Sequence, residues 1–393
     1  LENYKPTIGV VALGYWSQAL TNGALRVVVP VYFAASGMAI SKIAFFFFLF
    51  KFAEIFAPLG IGVLLNRWGY KRTFVTGLAI HSLISCFYLV PSLVFVYVER
   101  FVRGLLYMAD MSAVYVKHFS PKRNQRFLIN MMLGLKEASK GAGMIGGGLL
   151  IAHLTVENTL LIFATLTALS AFVGLYFLPD LKEQVQLPVF RIWGSVDKRI
   201  KTLGLGFGLL NGALDAWGVV VLPVYLTKVL EMSPSFVGMV LMAEYVLQGV
   251  VVTFFSKYSD LRWEAKNLLV LGGLLLIPVS LAISFSTALF PLLAWVFVYM
   301  FLFSVIMVYY NDLMLDFASE KKTSLDLATY TTLTNVFKPV GVFASGLLVE
   351  SMGFQWAYYL ASLFALFSAL TCSTLRSSKT EEAESASVYA VER

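Results

Sequence analysis

The sequence predicts an all-α integral membrane protein, twelve transmembrane helices forming two related six-helix bundles. Three observations carry this. Of 393 residues, 59% are hydrophobic and only 13% charged, with a mean hydropathy of +0.77, whereas a soluble domain is nearer a quarter charged. Apolar runs long enough to cross a bilayer recur along most of the chain, and the second half repeats residues of the first. This composition excludes a water-soluble enzyme, a disordered chain and a disulfide scaffold. Cys86 and Cys372 sit inside apolar runs and form no framework. His81, His118 and His153 are scattered without metal-ligand spacing, so neither metal nor cofactor is expected.

A membrane helix needs about 20 apolar residues. Such runs lie at 8–34, 41–65, 73–92, 93–116, 127–152, 158–178, 202–227, 235–256, 267–287, 290–315, 325–349 and 355–375. Their length and their Leu, Phe, Val and Ile content predict helices, since an outer-membrane barrel shows alternation over about ten residues. The first run carries Arg26 and leads straight into the second, unlike a cleaved signal. Residues 179–201, charged and proline-containing, divide a first bundle (1–178) from a second (202–375); residues 376–393 form a polar, acidic tail with the composition of a disordered segment.

The basic residues predict orientation. Arg26, Lys51, Arg100, Arg103, Lys136, Lys140 and Lys338 lie inside runs, and only Lys42 and Lys228 fall in odd-numbered loops. The remaining Lys and Arg residues sit in even loops and at the termini, which the positive-inside rule assigns to the cytoplasm. The net charge of +7 therefore reports topology in a bacterial-type inner (plasma) membrane, and no nucleic-acid partner is expected.

The repeat is legible helix by helix. Asn22-Gly-Ala-Leu-Arg26 and Pro30-Val-Tyr32 of the first span match Asn211-Gly-Ala-Leu-Asp215 and Pro223-Val-Tyr225 of the seventh. Ala53-Glu54 matches Ala243-Glu244, and Val96-Tyr97 matches Val298-Tyr299, an offset that also aligns Asp110 with Asp312. Lys140, Gly143 and Gly148-Leu-Leu150 of the fifth span match Lys338, Gly341 and Gly346-Leu-Leu348 of the eleventh. Matches in the same order on successive helices mark a duplicated unit, and an even number of spans gives both halves one orientation.

Parallel six-span halves with a substrate site between them near the midplane characterise the major facilitator superfamily. Asn66-Arg67-Trp68-Gly69-Tyr70-Lys71-Arg72 resembles that superfamily's signature between spans two and three, with Asn66 where Asp is usual. Asp260 and Arg262 resemble its counterpart in the second half, and Arg100-x-x-x-Gly104 resembles the fourth-span signature. The Gly141–Gly148 stretch is similar to the fifth-span antiporter motif without its proline. Leu20-Thr-Asn-Gly-Ala-Leu-Arg26, Gly134-Leu-Lys136 with Lys140-Gly141, and Gly212-Ala213 through Asp215-x-Trp217 to Leu222-Pro-Val224 resemble the ArsJ-type organoarsenical efflux permeases, with Asn22 where family members carry Asp. The resemblance implies twelve helices, efflux in exchange for protons, and an arsenylated phosphoglycerate as substrate.

Charges inside spans are costly, about 2.5–3.5 kcal/mol each at a helix centre on insertion scales, and mark function. Besides the seven basic residues, the spans carry Glu54, Glu99, Asp110, Glu137, Asp215, Glu244 and Asp312, with Asp316 at the end of the tenth. None of these lies in spans 3, 6, 9 or 12, which the superfamily places outermost, so the others enclose a polar interior. Cations predominate in the first half and acids in the second.

Arg26, Lys140 and Lys338 are therefore the expected substrate anchors, since guanidinium grips an oxyanion bidentately and ammonium is an adaptable point charge. Lys136 sits one turn before Lys140, and Asn22, Asn211, Trp217, Tyr310 and Asn311 are candidate pocket residues. The competing reading pairs Lys140 with Glu137, Lys51 with Glu54, and Arg26 with Asp215. Asp110, Asp312, Asp215, Glu54 and Glu244 are the proton-coupling candidates. Arg67, Gly69, Lys71, Arg72, Arg100, Gly104, Asp260 and Asp316 are expected in gating. Prolines 30, 58, 223, 278 and 339 are candidate bends.

The expected function is secondary transport of a small organic anion, phosphorylated or carboxylated, by proton-coupled efflux with rocking bundles. The expected partners are that anion, protons and the lipid bilayer, and a monomer suffices. A carrier of a citrate-type siderophore, exporting or importing, is the alternative transporter. A non-transporting membrane sensor or enzyme is the alternative of another class. No nucleotide-binding loop of the P-loop type occurs.

Overall fold

The computed structural model describes residues 4–90, 92–106, 122–180, 196–255, 265–318 and 323–375, and all regular structure among them is helical. The first half contains α1 (Tyr4–Ala35), α2 (Ile40–Trp68), α3 (Tyr70–Ser85) with a short 3₁₀ turn (Cys86–Leu89), α4 (Leu93–Leu105), α5 (Lys122–His153) and α6 (Val156–Phe177). The second contains α7 (Lys198–Gly218), α8 (Val221–Lys228), α9 (Pro234–Phe255), α10 (Ala265–Phe285), α11 (Leu289–Phe317), α12 (Thr323–Met352) and α13 (Gln355–Ser373). Helices are the natural outcome, because in lipid each backbone N–H and C=O must be satisfied within its own segment.

Among the described residues each predicted span is occupied by helix, the seventh by α7 and α8 together; residues 107–116 of the fourth lie outside them. Eight of these helices, searched over the described residues, are long and apolar enough to cross a membrane by length and composition, including all six spans of the second half. Helices α1, α2, α4 and α5 carry Arg26, Lys51, Arg100 with Arg103, and Lys136 with Lys140.

Two pseudo-symmetric bundles result. Helix α1 packs on α5 and α6 as α7 packs on α12 and α13, α3 meets α6 as α10 meets α13, and α2 meets α4 as α9 meets α11. Between the bundles, α5 lies along α9 and α2 along α12, again as a symmetric pair. Glycines set these seams. A Cβ on Gly148 would run into the Pro234 carbonyl at the start of α9, and one on Gly346 would run into Ala44 and Ser41 at the start of α2. The Ser41 N–H donates to Glu350 Oε2 at 3.1 Å across the second seam. These contacts seal the bundles together at the end bearing the odd-numbered loops.

Two local features follow from single residues. Gly69 alone joins α2 to α3 at φ 80°, ψ 170°, a conformation open to glycine. The seventh span breaks at Val219–Val220 because Pro223 follows; a proline ring clashes with the carbonyl four residues earlier and supplies no N–H. Pro30, Pro278 and Pro339 lie inside continuous helices.

The bundle cores differ. In the first, Glu99 is ion-paired with both Arg103 and Arg100, Tyr88 Oη donates to Glu99 Oε2 at 2.9 Å, and Arg103 Nη2 donates to Ser85 Oγ at 2.6 Å. Gln18 Nε2 lies 3.0 Å from the His81 ring, completing a buried polar network. In the second, Phe207 stacks on Tyr310 at 4.8 Å between ring centroids, Trp217 meets Tyr299 edge-on at 5.1 Å, and Phe303 joins them.

Candidate functional site

Between the bundles, near the middle of the helices, six spans bring charges together: Arg26 (α1), Lys51 and Glu54 (α2), Glu137 and Lys140 (α5), Asp215 (α7), Glu244 and Tyr245 (α9), and Lys338 (α12). The repeat explains much of this. Lys140 and Lys338 descend from one position, as do Glu54 and Glu244, and as do Arg26 and Asp215. The first and seventh spans thus place opposite charges at matching positions.

Most cations already have partners. Lys51 Nζ is 3.1 Å from Glu54 Oε2 and 3.8 Å from Asp215 Oδ2, so it bridges the bundles. Glu137 sits between Lys136 at 3.4 Å and Lys140 at 3.6 Å. The Arg26 guanidinium donates to Tyr245 Oη across the interface, and the Lys140 ammonium lies 4.7 Å from the centroid of the same ring. The expected pairs Lys140–Glu137 and Lys51–Glu54 are present; Arg26 turns to Tyr245, and Asp215 is approached by Lys51. Lys338 is the exception. Among the described residues it has no hydrogen bond or ion pair within 4.0 Å, and its charged neighbours are Lys51, Glu54, Asp215 and Lys140. Its ammonium is thus part-buried beside acids without a direct contact to either.

A cavity of about 20 Å³, room for about one water, opens beside Arg26, Asp215, Glu244, Tyr245 and Gln248 and is closed by Met144, Leu241 and Met300. Glu244 Oε1 and Asp215 Oδ2 are buried without a hydrogen-bond partner.

Other residues expected at the site stand elsewhere. Trp217 and Tyr310 are fully buried in the second bundle's core; Tyr310 Oη is 3.0 Å from Ser368 Oγ and 2.9 Å from Cys372 Sγ. Asn22 Oδ1 accepts from Arg103 at 3.5 Å, toward the first bundle's network, and Asn211 donates to the Phe207 carbonyl of its own helix. Asn311 is exposed near the end of α11, accepts from Tyr330 Oη, and is followed by the half-buried Asp312.

Of the residues expected in gating, Arg100 and Gly104 are internal to the first bundle. Arg100 donates to Tyr88 Oη at 2.7 Å and lies 5.1 Å from the Phe47 ring, while Gly104 admits the Phe50 carbonyl of α2. Arg67 and Arg72 are exposed, Lys71 is half-buried, and Asp316 is exposed at the end of α11. Asp110, Asp260, Arg262, the tail 376–393 and most of the connection 179–201 lie outside the described residues.

Residues the sequence does not single out complete the picture. Tyr245 is central, yet its signal is only adjacency to Glu244 in the repeat. Gln248 lies one turn further on the same helix. Asp326, 3% exposed in the first turn of α12, is a further acid inside a span.

The sequence matches the family model for the Major Facilitator Superfamily twice, over residues 11–203 and 204–388. The chain belongs to the major facilitator superfamily. No curated protein matches the sequence. Among solved structures, a bacterial homolog of the human lysosomal transporter Spinster, in an inward-facing and occupied conformation, superposes with a TM-score of 0.78 at 11% identity, covering 93% of this chain and 95% of that one. The nucleoside transporter NupG gives 0.73 at 14% identity, covering 93% and 98%. The human organic anion transporter MFSD10 (TETRAN) gives 0.66 at 14%, covering 94% and 99%. At these identities the likeness establishes the superfamily fold. This superfamily member is a multi-pass membrane protein of transporter architecture.

Proposed function

We propose that the protein is a secondary transporter of a small organic anion, exchanged for protons as the bundles rock about the central cluster. The observation that carries this reading is Lys338: a cation in the midst of a charge cluster, near the interface of both bundles, that makes no hydrogen bond or ion pair within 4.0 Å among the described residues. Arg26 and Lys140 stand in the same cluster with partners that an oxyanion displaces readily, a phenol and a shared carboxylate. The proton-carrying groups in this reading are Glu244 and Asp215. Both are buried acids lining the cavity beside Arg26, and each has one oxygen without a hydrogen-bond donor.

The distribution of basic residues supports cytoplasmic even loops and termini in an inner (plasma) membrane, with 179–201 as a cytoplasmic connector. The end sealed by Gly148, Gly346 and Ser41 is then the outward one, so the cluster loads from the cytoplasm, which suits efflux. The resemblance of Leu20–Arg26 to the organoarsenical permeases supports a phosphorylated three-carbon acid as the kind of anion carried. The test is flux in proteoliposomes under an imposed pH gradient. Lys338→Ala is expected to abolish anion flux, and undiminished flux would remove Lys338 from the site. Glu244→Gln is expected to flatten the pH dependence, and an unchanged profile would move coupling to another group.

A further inference from the structure

Near Lys338 stand two buried acids, each with one oxygen that lacks a hydrogen-bond donor. Glu244 is 3% exposed and Asp215 6%; Glu244 Oε1 and Asp215 Oδ2 have no hydrogen-bond partner, Lys51 Nζ stopping 3.8 Å from the latter. Both line a cavity that adjoins Arg26. The repeat shows why Glu244 is left alone. In the first half Lys51 stands three residues before Glu54 and binds it; the matching position before Glu244 is Leu241. The cation that faces Glu244 is Arg26 from the other bundle, and its guanidinium is held by Tyr245 Oη.

A simple anion would satisfy Lys338 and leave one buried oxygen of each acid without a hydrogen-bond donor, a cost that Lys51 and Arg26 meet only in part by their charge. A proton on Glu244 removes one charge and fills no space. The cavity's volume, about 20 Å³, matches one water, and a primary ammonium is of that size. An ammonium has three donors and no acceptor. Glu244 Oε1 and Asp215 Oδ2 offer two acceptors, and Gln248, whose Nε2 is turned toward Met307 Sδ at 3.5 Å, contributes an amide on the same wall. Met144 and Met300 opposite suit the carbon that follows the nitrogen.

We infer that the transported anion is a zwitterion, its primary ammonium seated between Glu244 and Asp215 and its acidic group held by Lys338. This rests on the anion-transport reading and narrows it. The ammonium takes the place of the proton that Glu244 carries in the empty carrier, and that proton leaves to water, so loading and deprotonation become one event.

The experiment uses the purified full chain and two isosteric pairs that differ only in NH₃⁺ against OH: phosphoserine with 3-phosphoglycerate, and aspartate with malate. Binding is read from the shift in thermal unfolding and by titration calorimetry. In at least one pair the amino member is expected to bind tenfold or more tightly, with Glu244→Gln bringing the ratio close to one and Lys338→Gln weakening both members. Where Glu244→Gln fails to fold, Asp215→Asn removes the other acceptor and is expected to shrink the same ratio. Equal binding within both pairs, or a ratio that neither substitution changes, would overturn the ammonium site, leave the cavity to a water, and spare the anion reading. Failure of all four compounds to bind would count against both.

Discussion

The two bundles descend from one unit, yet they are held together by different physics. The first is built around a buried ionic network, Gln18–His81–Arg103–Glu99–Arg100, in which each charge finds a partner within its own bundle. The second packs aromatic rings in its core instead: Phe207 occupies the repeat position of Gln18 and stacks on Tyr310 and Phe303. The same division reaches the central cluster. Glu54 comes with its own lysine and Glu244 does not. The groups without a direct partner, Glu244 Oε1 and Lys338, thus stand on α9 and α12 of the second half, where the proposed transport places its loading.

The comparison breaks most severely at Glu99. Glu99→Gln strands two buried guanidinium groups, and a loss of about 3–5 kcal/mol in stability is expected from leaving a buried charge unpaired. Chemical unfolding in detergent measures it, and the double variant Glu99→Leu with Arg103→Leu should recover part of the loss. A single variant as stable as the parent would show that the network is solvated.

Importing the first half's residue into the second is the next largest change. Phe207→Gln removes an aromatic from a filled core and buries an amide without a partner, an expected cost of about 3 kcal/mol, read by the same unfolding curves. Leu241→Lys gives Glu244 the internal cation that Glu54 has. Transport assayed across pH should then fall about tenfold, equivalent to about 1.4 kcal/mol, and lose its pH dependence; a normal profile would show that the missing lysine is immaterial. Tyr310→Phe is expected to cost about 1 kcal/mol through its bonds to Ser368 and Cys372, with flux unchanged, since the ring belongs to the bundle core.

Much of this architecture is readable from residues alone. Long apolar runs fix helix number, because a bilayer tolerates no other solution for the backbone, and duplicated positions predict that Lys140 and Lys338 enter one cluster from opposite bundles. The i, i+3 spacing also anticipates the pairs Lys51–Glu54 and Glu137–Lys140. What fails is the azimuth of individual aromatics. Trp217 and Tyr310 share helices with site residues, but lipid and core are equally apolar, so the pattern carries no contrast from which the facing direction can be read. Tyr245 escapes notice for a related reason: its role depends on Arg26, more than two hundred residues away in the chain. Asp326 hides in a first turn, where an acid reads as ordinary helix-end chemistry.

Pro223 has an outcome for motion. Its ring interrupts the seventh span at Val219–Val220, while Pro30, in the matching Pro-Val-Tyr of the first span but one turn nearer its charged residue, leaves α1 continuous. The interruption falls one turn beyond Asp215, at valines packed against Val28 and Val29 of α1. In the proposed rocking cycle, a joint present in one twin and missing from the other makes the stroke lopsided: the stiff bundle serves as the anvil, and the jointed one flexes against it with Asp215 riding just below the elbow.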